Sequence, residues 1–336
     1  MKQLLGYCET KYLHCMTESD IRILDGIHIA FGLINEEGKV YWQADRESMK
    51  RIRQIHPNIK LILSIGGWAA DGFSQAASSE EGRVELARSA VALLVEEGLD
   101  GLDLDWEYPC IDAGEIQALP EDKENFTLLL AEFRRQLDEL DTYKSLSIAA
   151  GALDIYLEST NMADVVQYLD YVQLMTYDFH CGASETSGHL ANLYPSKTEP
   201  EAPNADYAIQ AFVKSGVPKN KLVMGAAYYG RVWTHVENKN DGLGVLVSPS
   251  NHTHMKYNEI IELLEKDPSY KRYYDEDAKA CYLYNGDTFI TYEDKDTLRH
   301  KLDYVLENEL YGMMFWEYEQ DETHTLTGFL KKGLEE

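Results

Sequence analysis

The sequence predicts a (β/α)8 TIM barrel with a small α+β insertion between its seventh and eighth strands. Three observations carry this expectation. Short apolar runs alternate with longer stretches of helical period along most of the 336 residues, the pattern of repeated strand-helix units around a parallel sheet. The runs number eight, which is the count that closes such a barrel. Chemically able residues, Glu107, Asp178, Arg231 and Trp316, fall at the C-terminal ends of these runs, where this fold builds its sites.

Taken in order, the first strand is expected near residues 3–7 and the second near 26–33, where Ile27, Ile29 and Phe31 alternate with His28, Ala30 and Gly32. Asp45 is placed to cap a helix striped by Met49, Ile52 and Ile55 and ended by Pro57. The third strand, 60–65, runs into Gly66 and Gly67; a double glycine permits close backbone approach or positive φ, with an ordinary turn the simpler reading. Ser78 or Ser79 begins a long helix closed by Gly98, and the fourth strand follows within 98–109. A helix over 121–140 gathers Phe126, Leu129, Leu130, Phe133 and Leu137 on one side, and the fifth strand is 145–150. A helix around 162–168 precedes the sixth strand, 171–178, in which Gln173, Met175 and Tyr177 share a face. Residues 181–203 read as a long loop, which beside a barrel mouth is usually functional. A helix near 205–213 leads to the seventh strand, 221–226, and to Tyr228-Tyr-Gly-Arg231. The alternation then breaks, with a helix at 257–266 between tyrosine-rich segments. Residues 232–289 are therefore assigned to the insertion, and 1–231 with 290–336 to the barrel. Asp294 or Asp296 caps the next helix, and the eighth strand is 312–317.

The fourth strand carries Asp100, Asp103, Asp105 and Glu107. Successive strand residues point to opposite faces, so Asp103, Asp105 and Glu107 share one face while Leu102, Leu104 and Trp106 share the other. Close like charges in a partly dry site cannot all ionise, so at least one of these acids should hold its proton to high pH, as a general acid must. The bland alternative, a solvated acidic edge, conflicts with a row set between leucines. Asp100 is out of phase and reads as structural, bonding to backbone amides.

Composition narrows the partners. A formal net charge of −27 repels phosphate backbones and anionic lipid, so neither nucleic acid nor a membrane surface is expected, and the substrate should be neutral or cationic. The 23 tyrosines and 5 tryptophans exceed the needs of a core and suit stacking on sugar rings. Five scattered cysteines without a CxxC pair give neither a disulfide framework nor a zinc site. His28, His180 and His189 offer no metal-ligand spacing, so no metal or other cofactor is expected, and the chain is expected to act as a monomer. The first residues read directly as a strand with no apolar signal core; the expectation is a protein that works inside the cell or a secreted one whose leader is absent from this chain. No apolar run approaches the roughly 20 residues that span a bilayer.

The stretch Asp100-Gly-Leu-Asp-Leu-Asp-Trp-Glu107 resembles the DxxDxDxE signature of family 18 glycoside hydrolases, the chitinases and their relatives. Ser64-Ile-Gly-Gly67, Gln173-Leu-Met-Thr-Tyr-Asp178, Tyr229-Gly-Arg231 and Trp316-Glu317 extend the likeness over nearly the whole chain, and the insertion resembles the one that deepens the cleft in many of these enzymes. The resemblance implies a retaining hydrolase of β-1,4-linked N-acetylglucosamine polymers or oligomers, chitin above all. In it the substrate's own acetamido oxygen attacks the anomeric carbon to form an oxazolinium.

Carried onto this chain, the resemblance implies that Glu107 is the acid and then the base. Asp105 would orient the acetamido group, Asp103 would support Asp105 by a shared proton or hydrogen bond, and Tyr177 would hold the acetamido oxygen. Trp316 would floor the pocket, and Asp178 and Gln173 would bond to the sugar or to the catalytic acids. Tyr7, Phe31, Gly67, Trp68, Trp106, Tyr108, Met175 and Tyr229 complete the expected substrate-binding set. Arg231 either binds sugar or pairs with a carboxylate. Two positions depart from the family pattern: Ala227 stands where Pro is frequent, and Cys181 where Gly is common. Two other readings stay open, an endo-β-N-acetylglucosaminidase acting on peptidoglycan or N-glycans, and a non-hydrolytic chitin-binding lectin, against which the presence of Glu107 counts.

Overall fold

The computed structural model describes residues 2–335; Met1 and Glu336, the outermost residues assigned to the barrel, lie outside the described residues. Eight parallel strands form the barrel: β1 (Gln3–Glu9), β2 (Gly26–Ile34), β3 (Lys60–Gly66), β4 (Gly101–Asp105), β5 (Ser145–Gly151), β6 (Tyr171–Met175), β7 (Leu222–Ala227) and β8 (Gly312–Trp316). Each pairs with the next, and β1 pairs with both β8 and β2, which closes the ring. A short strand, Val40–Tyr41, adds to β2 antiparallel.

The outward faces of the strands supply the apolar layer against the helices. Trp106 shows the arrangement: it is 2% exposed, stacked on Phe73 at 5.2 Å and edge-on to Phe126 at 5.7 Å. The inward faces are unusually polar. Register sets Ser64 of β3 and Ser147 of β5 on either side of Asp103, so three hydrophilic residues meet on one level of the barrel interior.

Local chemistry explains most helix ends. The Asp45 side chain accepts from Ser48 N ahead of helix Arg46–Ile55, and Ser79 accepts from Gly82 N ahead of Glu80–Glu96. Gly98, just past the latter helix, has φ +64°, the left-handed conformation a helix C-terminus favours. Asp294 rather than Asp296 caps helix Lys295–Glu307.

Three expectations need correction. The helix expected over 162–168 is only Met162–Val165, because the chain turns at once to bury Leu169 and to let Asp170 accept from Leu146 N at 2.8 Å. The short helices Phe73–Ala77 and Asp154–Glu158 and the terminal helix Thr325–Glu335 were not foreseen. The insertion limits 232–289 cut through two strands, Tyr229–Trp233 and Phe289–Tyr292, which pair with each other. These two belong to an antiparallel sheet with His252–Lys256, Ala280–Tyr284 and Lys271–Asp275, with helix Tyr257–Lys266 packed nearby. The 181–203 loop is tied to this sheet by Leu190 N to Thr291 Oγ1 (2.8 Å) and by the His189–Asp275 pair at 3.2 Å.

Candidate active site

Asp103 lies fully buried beneath the barrel mouth. Its Oδ2 accepts from the Tyr7 and Ser64 hydroxyls, both at 2.8 Å, and its Oδ1 from Ser147 Oγ at 2.6 Å and Gln173 Nε2 at 3.2 Å. Four donors approach the full capacity of a buried carboxyl group. Gln173 Nε2 also reaches the Tyr7 hydroxyl at 2.6 Å, so the two side chains lock each other. Below them His28 stacks on Tyr7 at 4.9 Å, and burial pushes its pKa down to about 4, leaving a neutral ring at pH 7.

Asp105 stands one inward position above Asp103. Burial, and after it the charges of Glu107 and Asp103, hold its pKa well above the usual carboxylate range, and its Oδ1 finds no hydrogen-bond partner among the described residues. Glu107, two residues past the end of β4, is pushed up to about 7 by burial and by the nearby Asp178 charge, against the opposing effect of the Tyr108 hydroxyl. Burial and crowding thus favour the protonated forms of Glu107 and Asp105.

Above these acids opens a cleft of about 800 Å³. Trp316 stacks on Phe31 at 5.5 Å and tilts against Tyr7 at 5.7 Å, making an aromatic floor. Tyr108, Met175, Tyr177 and Tyr229 line the walls, and Trp68, 62% exposed, stands at the rim. Asp178, with φ +58°, turns its carboxylate toward the insertion sheet. There it accepts from the Tyr229 hydroxyl (2.8 Å) and from Arg231 Nε and Nη2 (2.7 and 2.8 Å). Arg231 thus makes the carboxylate pair while still facing the cleft.

Asp103 and Gln173 lie beneath the cleft rather than on its wall, and Gln173 bonds to the acid network. Trp106 is a correction: strand alternation, the same rule that groups the acids, turns it into the outer core away from any substrate. Gly67 is another. A Cβ there would lie 2.7 Å from the Phe31 ring, so this glycine makes room for Phe31 and is not itself among the cleft-lining residues. Gly66 is the closer constraint, and here close backbone approach with positive φ holds rather than the simpler reading of an ordinary turn: at φ +114° its Cβ would fall 2.1 Å from the Asp105 carbonyl oxygen, which accepts Gly67 N at 2.8 Å. Asp100 bonds as expected, accepting Leu61 N at 3.0 Å, and also Arg53 at 2.9 Å.

Sequence reasoning missed several wall residues. Ile111, Leu153, Ile155 and Tyr156 follow β4 and β5, and Gln320 follows β8; position after a barrel strand was the available signal. His252 and His254 come from the insertion strand, and nothing in the sequence marks them.

A parallel barrel with crowded acids under an aromatic-lined cleft suits the class of enzymes that cleave carbohydrates by acid catalysis. Within that class the chain belongs to the glycosyl hydrolases family 18, whose sequence profile matches residues 5–321. It is similar to Chitinase A1 of Niallia circulans, 33% identical over 309 residues, covering 85% of this chain and 44% of that protein. It is also similar to Endochitinase 1 of Metarhizium robertsii, 36% identical over 286 residues, covering 80% of this chain and 63% of that protein. The chain thus spans less than two thirds of the length of these relatives. Among solved structures it resembles a family 18 N-acetylglucosaminidase from Paenibacillus barengoltzii, with a TM-score of 0.95 and 42% identity over 99% of this chain and 100% of the other.

Proposed function

We propose that the chain hydrolyses β-1,4 linkages between N-acetylglucosamine units, in chitin or its oligomers, with retention and with the substrate's acetamido group as nucleophile. The observation that carries this reading is that Glu107, pushed up to about 7 by burial, lines one cleft together with Asp105 and Tyr177. Glu107 gives its proton to the glycosidic oxygen. The acetamido oxygen, held by the Tyr177 hydroxyl, then closes on the anomeric carbon while Asp105 accepts from the acetamido N–H and steadies the positive oxazolinium. Trp316 supports the ring from below, and Glu107 finally takes a proton from the water that opens the intermediate. Asp103 holds the strand-four acids in register through its hydroxyl and amide donors. The family membership and the chitinase names of the relatives support the substrate class.

A second reading has one specific support. The Paenibacillus structure is named an N-acetylglucosaminidase, which favours release of single sugars from short oligomers over cutting within long chains. Analysis of the first products from defined N-acetylglucosamine oligomers separates the two: monosaccharide with an oligomer one unit shorter supports end-wise action, and two fragments each of two or more units support internal cutting. The Glu107→Gln variant should lose activity by about 10³-fold or more, since a general acid and base is removed together. Turnover of cell-wall glycan with none on chitin oligomers would overturn the chitin reading, and oligomer binding without hydrolysis at any pH would make the protein a lectin.

A further inference from the structure

Beneath β6 and β7, outside the cleft wall, a charged pair is enclosed: Lys301 Nζ lies 2.8 Å from Glu293 Oε1, with side chains 1% and 2% exposed. Desolvating such a pair offsets much of its attraction, and apolar residues of similar volume would serve stability as well. Its placement says more. The same ammonium donates to the carbonyl oxygens of Thr176 at 3.2 Å and Gly225 at 3.0 Å. Thr176 Oγ1 donates to that Gly225 carbonyl at 2.8 Å and accepts from Gly225 N at 2.9 Å. This clamp spans the point where β6–β7 pairing stops, at Leu174 and Met224.

Both carbonyls bear on one residue. The Thr176 carbonyl belongs to the peptide that joins Thr176 to Tyr177. Gly225 is the glycine on which the Tyr177 ring rests, since a Cβ there would lie 2.9 Å from Tyr177 Cε1. Glu293 accepts from Ala227 N at 2.8 Å with its other oxygen, which anchors the ammonium to the last residue of β7.

We propose that Lys301, held by Glu293, is a positioning residue that aims the Tyr177 hydroxyl into the cleft through the carbonyls of Thr176 and Gly225. The role rests on the functional reading above, in which Tyr177 holds the acetamido oxygen. The side chain touches no substrate. Its effect should reside in the chemical step, because a misdirected nucleophile lowers kcat while the aromatic floor still binds sugar.

The test is a double-mutant cycle on 4-nitrophenyl N,N′-diacetylchitobioside, with Lys301→Met and Thr176→Val each made alone and together with Tyr177→Phe. Lys301→Met should lower kcat by about tenfold or more with KM changed less than about threefold, as small misplacements of a reacting group do. In the Tyr177→Phe background the same substitution should cost less than about threefold, because the group it aims is gone. Thr176→Val should show the same coupling at smaller size, and it decides the matter if Lys301→Met does not fold. Equal losses in both backgrounds, or no loss in a variant with native near-ultraviolet circular dichroism, overturn the positioning role. Wild-type release of neither nitrophenol nor N-acetylglucosamine from this glycoside overturns the functional reading and the positioning role together, whereas equal losses in an active enzyme overturn the positioning role alone.

Discussion

Two glutamates set the pH behaviour of single residues. Glu107 on the cleft wall and Glu317 behind the aromatic floor are both pushed up to about 7, chiefly by burial, and Glu317 Oε2 finds no partner among the described residues. In the unfolded chain such carboxyls lose their protons near 4.5. Between that pH and about 7 these two groups therefore bind more protons in the folded than in the unfolded protein, and the stability they contribute falls as pH rises across the window. His28 contributes in the opposite direction, because its folded pKa of about 4 lies below the unfolded 6.5. Melting temperatures from pH 4 to 8 should show the glutamates' slope in the difference between the wild type and Glu107→Gln, and between the wild type and Glu317→Gln. Activity adds a separate signature, since Glu107 must be protonated to act as an acid: kcat/KM should drop above about pH 7, and that limb should persist in Glu317→Gln. Much of this was legible in the sequence. The alternation of Asp103, Asp105 and Glu107 with leucines gave the crowding that raises a pKa. Glu317 was not legible, because the groups that act on its carboxyl beside burial, the Glu9 charge and the Gln320 amide, are not placed by strand periodicity.

At the scale of elements, the contact between β3 and β4 is the tightest constraint on the site. Gly66 lets the backbone of β3 pass against the Asp105 carbonyl, and any side chain would drive the two strands apart at the level of the acids. Gly66→Ala should destabilise the fold by roughly 2–4 kcal/mol, read from denaturant unfolding, and should lower kcat/KM in the protein that remains folded. Unchanged stability would count against this reading. Most barrel strands were read from their apolar runs to within about two residues at their ends because burial on both sides leaves a strong pattern; the sixth, expected over 171–178, ends at Met175. The short helices escaped, since Phe73–Ala77 and Asp154–Glu158 are five residues each, too brief for a helical period to show. Trp106 was assigned to the substrate by motif although its strand phase places it in the outer core, where Phe73 and Phe126 receive it.

The whole molecule carries a formal charge of −27, and it presents its cleft within that field. Neutral oligomers should therefore react at rates nearly independent of ionic strength. Anionic cell-wall fragments should be repelled at low salt and gain in kcat/KM as salt screens the field, by about severalfold between 10 and 200 mM. Parallel salt titrations on the two substrate types check this, and a salt-independent rate on the anionic fragments would contradict it. The barrel and an insertion near its seventh strand were legible because alternation fails abruptly there. The insertion's part in the cleft was not legible, because His252 and His254 reach the wall through antiparallel pairing of His252–Lys256 with Tyr229–Trp233, a long-range contact that no local pattern encodes.

The same pairing has a wider consequence. The insertion leaves the barrel and returns to it on adjacent strands, with Trp233 opposite Phe289 and Gly230 opposite Tyr292, so its two ends are neighbours whatever lies between them. Changes of length in that interval cost little in loop closure, whereas its buried aromatics, Tyr282 and Tyr284 packed with Trp233 and Phe289, are held by their own core. Drift at His252 and His254 would reshape the cleft wall while the acids of β4 stay where the barrel holds them, which makes this segment the natural target for exchange between relatives.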